Sequence, residues 1–134
     1  MLLTRASEYA IMAAIAIAKE ESGLDVAALS ERLGFSRSFL SKILQRLAKA
    51  GILRSKKGCG GGFTLAASAK SITIQQLVRS AERDSATVFS CSRPTKRGAC
   101  ASPKDCPVLP LLKKLQDKID NVLAETTLAD LLKD

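Results

Sequence analysis

The sequence of 134 residues contains no histidine and no tryptophan, and aromatic residues make up only 4% of it. The absence of histidine excludes most zinc hydrolases, catalytic triads and histidine-based acid–base mechanisms, because each depends on an imidazole. Neither a G-x-G-x-x-G pattern nor a P-loop is present, so the common nucleotide-binding signatures are missing too. The sequence therefore predicts a protein that is not an enzyme.

Acidic residues are absent from residues 32–81, a span of fifty residues that contains ten lysines and arginines. The whole chain carries a formal net charge of +8. A merely solvated surface mixes its charges, whereas a long stretch of one sign indicates a polyanionic partner. We therefore expect this part of the chain to bind double-stranded DNA.

The acid-free span contains the pattern of a helix-turn-helix. Apolar residues at positions 26, 29 and 33 share one helix face, and Gly34 ends this first helix. Ser36 is placed to cap the second helix through its hydroxyl. The apolar residues of that helix recur with helical spacing at Leu40, Ile43, Leu44 and Leu47. Two short helices joined at a glycine, the second cationic, predict a DNA-recognition motif.

A β-hairpin wing is predicted after the second helix. Residues 52–55 and 63–65 are strand-like, and the turn between them is rich in glycine and lysine. We assign phosphate contacts to three lysines and base contacts to four residues at the start of the second helix. The phosphate contacts are Lys42, Lys56 and Lys57, and the base contacts are Ser36, Arg37, Ser38 and Ser41. A solvated basic face on an ordinary hairpin is the alternative, which the single charge sign disfavours.

The N-terminal helix, predicted over residues 4–21, is apolar on every side between Ala10 and Ala18. Such a helix must be buried on all sides. One side can pack on the helix-turn-helix, and the other requires a second surface, such as that of a partner subunit. A secretory signal is the alternative, with Arg5 before the apolar run, although Glu8 is unfavourable for it. No apolar run reaches the roughly 18–20 residues of a membrane span. We therefore expect a cytoplasmic protein that does not enter a membrane.

The C-terminal half of the chain predicts a dimerisation helix. An amphipathic helix at residues 73–82, with Thr73 as its cap, ends the DNA-binding domain (1–82). An irregular segment (83–107) separates this domain from a C-terminal region (108–134). That region contains a long helix and then a short helix, which Thr126 or Thr127 is predicted to cap. In the long helix, apolar residues recur at alternating intervals of four and three residues, as in a coiled-coil seam. They are Val108, Leu112, Leu115, Ile119 and Val122.

This pattern predicts a mainly α fold, a winged helix-turn-helix with a long C-terminal dimerisation helix. We expect Leu112, Leu115, Ile119 and Val122 to lie in the interface of a homodimer that binds a pseudo-palindromic operator. Packing of the long helix on its own domain is the alternative.

Three of the four cysteines lie in the irregular segment. Cys91, Cys100 and Cys106 are spaced C-x8-C-x5-C, while Cys59 stands alone in the wing. Without a secretory context, such a group of cysteines indicates metal binding or redox chemistry rather than structural disulfides. Nearby lysines and arginines would offset the negative charge of an iron–sulfur cluster. By spacing alone, structural zinc, a thiol redox switch and unmetallated cysteines remain alternatives.

Five motifs along the chain resemble the Rrf2 family of winged-helix transcription regulators, which includes iron–sulfur and nitric-oxide sensors. They are Leu3-Thr4 with Tyr9-Ala10, Leu47-x-x-Ala50-Gly51-Ile52-Leu53, Gly58-x-x-Gly61-Gly62-Phe63, the cysteine triplet and Thr127-Leu128-Ala129-Asp130-Leu131. The resemblance implies a homodimer in which the long helices cross. It also implies an iron–sulfur cluster on the three loop cysteines (2Fe–2S favoured, 4Fe–4S the alternative) whose state sets DNA affinity, in a repressor or dual regulator.

Two features depart from the family pattern. The first gap between the cysteines is longer than is usual in the cluster-binding members, and the histidine that serves one branch as fourth ligand is absent. In the nitric-oxide-sensing branch an aspartate of the other subunit takes this position, and Glu8 occupies the matching position here. The resemblance therefore implies that Glu8 is the fourth ligand to the cluster of the partner subunit.

Overall fold

The computed structural model describes residues 3–58, 61–82 and 106–133 of the chain. Six helices and two strands follow one another in these ranges. They are α1 (Arg5–Ala18), α2 (Val26–Leu33), α3 (Arg37–Lys49), β1 (Leu53–Lys56), β2 (Gly62–Leu65), α4 (Ile74–Ala81), α5 (Leu109–Glu125) and α6 (Leu128–Leu132). Elements α1 to α4 with the β1–β2 hairpin form a winged helix, so the predicted fold is confirmed. Cys59, Cys91 and Cys100 lie outside the described residues.

The core lies between α1, α2, α3 and α4. All four apolar residues that the sequence predicted for the buried face of α3 are inaccessible to solvent: Leu40, Ile43, Leu44 and Leu47. They pack with three fully buried alanines of α1, whose small side chains allow the helices to approach closely: Ala10, Ala13 and Ala14. Complete burial of one such leucine or isoleucine contributes about 1.5–3 kcal/mol. The orientation of α3 about its own axis is therefore strongly fixed.

Helix α1, the N-terminal helix, differs from its prediction in length and burial. It ends at Ala18 rather than near residue 21, and only one side of it is buried within the chain. On the other side Met12 is 44% exposed and borders an open groove of about 280 Å³ between α1 and α2. Burial on all sides is therefore not achieved by this chain alone, because its own elements cover only one face of α1.

The wing is an antiparallel hairpin in which Leu53 pairs with Leu65 and Lys56 pairs with Gly62. A third segment joins its edge, because Leu24 and Phe63 donate backbone hydrogen bonds to each other at 3.1 and 2.8 Å. Gly62 has a φ of +149°, and a Cβ atom there would lie 2.6 Å from the carbonyl of Leu24. Only glycine allows this close approach of two backbones.

The C-terminal helices are attached to the start of α4. The Ile74 amide donates to the Thr126 carbonyl at 2.9 Å, and the Leu128 amide donates to the Ile72 carbonyl at 2.8 Å. Thr127 caps α6, as one of the two predicted caps, through a reciprocal capping box with Asp130. Backbone and side-chain hydrogen bonds from Thr127 hold the pKa of Asp130 below its ordinary value.

The predicted cap of α3 is wrong in one respect. Ser36 does precede the helix, but its side chain accepts no hydrogen bond from a helix amide. Its hydroxyl lies 3.1 Å from the Ser38 hydroxyl instead. Pairing of the two hydroxyls competes with capping, so the first amides of α3 have no side-chain partner in Ser36.

We expect Gly62→Ala to lower the free energy of unfolding by about 1–3 kcal/mol, since it combines a strained φ with a clash against Leu24. The measurement is denaturant unfolding. Gly58→Ala is the matched control, because Gly58 also has a positive φ (+98°) but no atom within 4 Å of the added Cβ. Equal losses in the two variants would contradict a role for the contact with Leu24.

Candidate nucleic-acid interface

The face of α3 opposite the core is polar and open to solvent. Arg37, Ser38 and Lys42 are exposed, and Ser41 is half-buried among them. The exposure of Ser38 and Lys42 follows from the helical period, because burial of the apolar stripe turns residues on the other side outward. Arg37 is accessible because it is the first residue of the helix. Ser36 lies exposed just before the helix. All five residues that the sequence predicted for DNA contact around α3 are thus on its accessible side.

The wing adds a second cationic surface. Lys56 ends β1 and Lys57 follows it in the turn, and both side chains are exposed. Arg54 is exposed two residues earlier in the strand, and Gln45 is exposed on the open face of α3. The sequence placed Gln45 on the polar face of this helix but assigned no DNA contact to it or to Arg54. The acid-free stretch that contains both was the available signal.

An aromatic cluster fixes the start of α3 to α1. The rings of Tyr9 and Phe35 are stacked with their centroids 3.6 Å apart, and Phe39 contacts Tyr9 edge-on at 5.2 Å. Each such pair contributes about 0.5–1.5 kcal/mol beyond simple burial. In addition, the Ser30 hydroxyl donates to the Phe35 carbonyl at 2.5 Å. The turn between α2 and α3 is therefore held from both α1 and α2.

The predicted cluster ligands are only partly within the described residues. Cys106 is a half-buried free thiol just before α5, and its carbonyl accepts a hydrogen bond from the Leu109 amide at 3.3 Å. Glu8 is exposed in the first turn of α1. No three acidic or cysteine side chains in the described ranges form a group that could hold a metal ion. Cys91 and Cys100, two of the three predicted thiolate ligands, lie outside those ranges.

Helix α5 has an apolar face that its own chain leaves open. Leu111 is 56% exposed and Val122 is 61% exposed, and Val108 and Leu115 are exposed on the same side. Ile119 and Leu123, on the adjoining face, pack against the core. Of the four predicted interface residues, Leu115 and Val122 are thus exposed, Leu112 is half-buried and Ile119 contacts its own domain. In the part of the chain that the structure describes, no helix is long and apolar enough to span a membrane.

Comparison with known proteins decides the family. A family model described as "Rrf2: Iron-dependent Transcriptional regulator" matches residues 3–134. The chain belongs to the Rrf2 family.

Similar proteins of this family are named for transcription regulation. The HTH-type transcriptional regulator IscR of Vibrio campbellii is 32% identical over 136 aligned positions, which cover 100% of this chain and 79% of that protein. IscR of Escherichia coli O1:K1 / APEC is also 32% identical, with 98% and 80% covered. This Rrf2 protein is accordingly a DNA-binding transcriptional regulator and not an enzyme, as the sequence predicted.

Solved structures agree on the fold. The chain superposes on T. potens IscR with a TM-score of 0.75 and 25% identity, covering 100% of this chain and 88% of that one. The structure titled CymR (YrzC), the global cysteine regulator of B. subtilis, gives a TM-score of 0.76 at 22% identity, with 99% and 97% covered. The winged-helix arrangement and the position of the C-terminal helices are thus shared with these proteins.

Substitution of two exposed cations is expected to separate phosphate contacts from base contacts. Lys57→Ala should weaken binding to all DNA and lower the slope of log affinity against log salt by about one unit. Arg37→Ala should cost about 1–3 kcal/mol on the operator and relax the preference at one position of each half-site. The measurement is fluorescence anisotropy over a salt series, with an operator that the wild-type protein selects from random duplexes.

Lys133→Ala provides the control for net charge, because Lys133 lies at the end of α6 in an ion pair with Asp130. It should leave both affinity and slope near those of the wild type. The same uniform loss for Lys57→Ala and Arg37→Ala on operator and random DNA would show that the two roles are wrongly assigned.

Proposed function

We propose that this Rrf2 protein is a cytoplasmic, homodimeric repressor or dual regulator whose operator binding is controlled by an iron–sulfur cluster. The observation that carries the proposal is the combination of two features in one chain. One is the acid-free cationic face of α3 and the wing, and the other is the cysteine triplet between α4 and α5. The iron dependence in the family description supports the second feature.

The DNA-binding part of the proposal assigns roles by position. Arg37, Ser38 and Ser41 lie at the start of α3, where a recognition helix meets base edges in the major groove, and Ser36 precedes them. Lys42, Lys56 and Lys57 are exposed cations beside this region, suited to phosphate oxygens. Arg54 and Gln45 belong to the same exposed surface.

The cofactor part rests on the chemistry of the donors. Thiolates are the usual ligands of iron–sulfur clusters, and three of them occur within sixteen residues here: Cys91, Cys100 and Cys106. Cys106 lies shortly before the start of α5 and is half-buried. We assign the fourth position to Glu8 of the other subunit, since its carboxylate is exposed and thus accessible from outside its own domain. A bound cluster would supply a centre sensitive to oxidation state or to small ligands.

The dimer part rests on α5. An open row of Leu111, Leu115 and Val122 runs along a helix whose adjoining face already packs on the core. A matching row from a second copy would bury these side chains in a two-helix seam. The groove beside Met12 on α1 offers a further apolar surface for a second subunit.

Anaerobically purified protein is expected to contain iron and sulfide and to absorb visible light. Removal of the iron by a chelator should change the operator affinity by about 5- to 150-fold, the usual range of coupling between two sites. The measurements are the absorption spectrum, metal and sulfide analysis, and anisotropy with and without iron. Colourless protein with one zinc per chain would favour a structural zinc site, and colourless protein that responds to oxidants would favour a thiol switch.

Variants sharpen this test. Cys100→Ser should lose the visible spectrum, whereas Cys59→Ser should keep it. Glu8→Ala should still assemble a cluster, but with an altered spectrum and a weaker effect on DNA. Its matched control is Glu31→Ala, which removes an exposed carboxylate from α2 instead. An unchanged spectrum and DNA response in Glu8→Ala would show that Glu8 is only a carboxylate near the start of α1.

Leu115→Asp is expected to convert the dimer to monomers and to reduce operator affinity, because it places a charge in the apolar seam. Leu115 is a better position than Ile119 for this test, since Ile119 also contacts the core and its loss would destabilise the monomer. The measurement is sedimentation velocity together with denaturant unfolding. Asn121→Asp adds the same charge on another exposed face of α5 and should stay dimeric. A dimeric Leu115→Asp would contradict the proposed seam.

A further inference from the structure

We propose that Arg46 and Glu82 are positioning residues for DNA recognition. Together they fix the recognition helix α3 to α1 through the end of α4. Neither residue belongs to the DNA contacts or cluster ligands assigned above, and the inference does not depend on the cluster.

Arg46 lies in the last turn of α3 but its guanidinium is directed into the protein. Its Nη1 donates to the carbonyl of Ala81 at 2.7 Å, and the side chain is half-buried, whereas Lys42 and Lys49 of the same helix are exposed. Ala81 is the last residue of α4. The last carbonyls of a helix lack amide partners within it, and a cation near them is favoured by the helix dipole. Arg46 therefore caps the C-terminal end of α4.

Glu82 follows Ala81 directly and makes the complementary contact with α1. Its Oε1 accepts a hydrogen bond from the Ser7 hydroxyl at 2.6 Å and another from the Thr4 hydroxyl. Ser7 is fully buried, and Thr4 is the N-cap of α1, where its hydroxyl also accepts from the Ala6 amide. A carboxylate near the start of a helix is favoured by the dipole. Glu82 therefore attaches the end of α4 to the first turn of α1.

The two contacts involve neighbouring residues and so form one connection from α3 through α4 to α1. The other end of α3 is attached to the same part of α1 by Tyr9, which stacks on Phe35 and contacts Phe39. The first two turns of α1 thus hold the recognition helix near both of its ends. Movement at residues 81 and 82 would be transmitted to α3, and the segment that carries Cys91 and Cys100 begins directly after them.

A different role for Arg46 would follow from its charge alone, namely a phosphate contact like that of Lys42. The two roles differ in their dependence on salt. Loss of a phosphate contact weakens binding to every sequence and lowers the salt slope by about one unit. Loss of a positioning residue misaligns the base contacts, so it weakens operator binding while random DNA binding and the salt slope stay unchanged.

The experiment compares Arg46→Met with Lys42→Met in the full-length protein, both purified in the same way as the wild type. Methionine keeps an unbranched apolar side chain and removes the charge and the donors. Arg46→Met should weaken binding to the selected operator by about tenfold and leave random duplex DNA within about twofold of wild type, with an unchanged slope. Lys42→Met should weaken both and lower the slope.

Glu82 supplies the independent variants. Glu82→Ala should reproduce the selective loss of Arg46→Met, and Glu82→Gln should retain more operator affinity because its amide oxygen still accepts from Ser7. Unchanged binding to random DNA shows that a variant is folded. If Arg46→Met does not fold, Glu82→Ala provides the same comparison, because it is expected to show the same selective loss while Arg46 stays in place. Equal losses on both DNAs with a reduced slope, or no loss of operator affinity in any variant, would overturn the proposal.

Discussion

Burial of the apolar face of α3 organises the DNA-binding unit. Leu40, Ile43, Leu44 and Leu47 are all inaccessible to solvent and lie on one side of the helix. With 3.6 residues per turn, their burial leaves the opposite side accessible, and that side bears Ser38, Lys42 and Gln45. The same apolar contacts that stabilise the fold therefore also orient the residues that we propose to face DNA.

Helix α1 is the element against which these parts are assembled. Its buried alanines allow α3 and α4 to approach closely, and its first two turns carry the polar and aromatic groups that hold both helices. The exposed Glu8 lies between Ser7, which binds Glu82, and Tyr9, which stacks on Phe35. Three consecutive residues therefore have different surroundings: Ser7 contacts the end of α4, Glu8 faces solvent and Tyr9 contacts the start of α3.

Charge and shape contribute separately to recognition. The exposed cations of α3 and the wing are suited to attract the phosphate backbone whatever its sequence, and no acidic residue lies between positions 32 and 81 of the chain. Sequence-specific binding depends in addition on base contacts, which phosphate contacts alone do not provide. The wing is itself fastened at Gly62, where its backbone meets Leu24.

The helices, the buried face of α3, the wing and the binding of DNA could be predicted from the amino-acid sequence. These follow from spacings of three and four residues, from glycines at turns and from charge, all of which act between near neighbours in the chain. The packing of the folded chain sets other features: Arg46 bonds to Ala81, Tyr9 stacks on Phe35, and Ile119 packs on the core while Leu115 stays exposed. It also decided that the Ser36 hydroxyl meets Ser38 instead of capping the helix. Most of these contacts join residues that are far apart in the chain, and the Ser36 pair depends on side-chain geometry, so no local pattern specifies them.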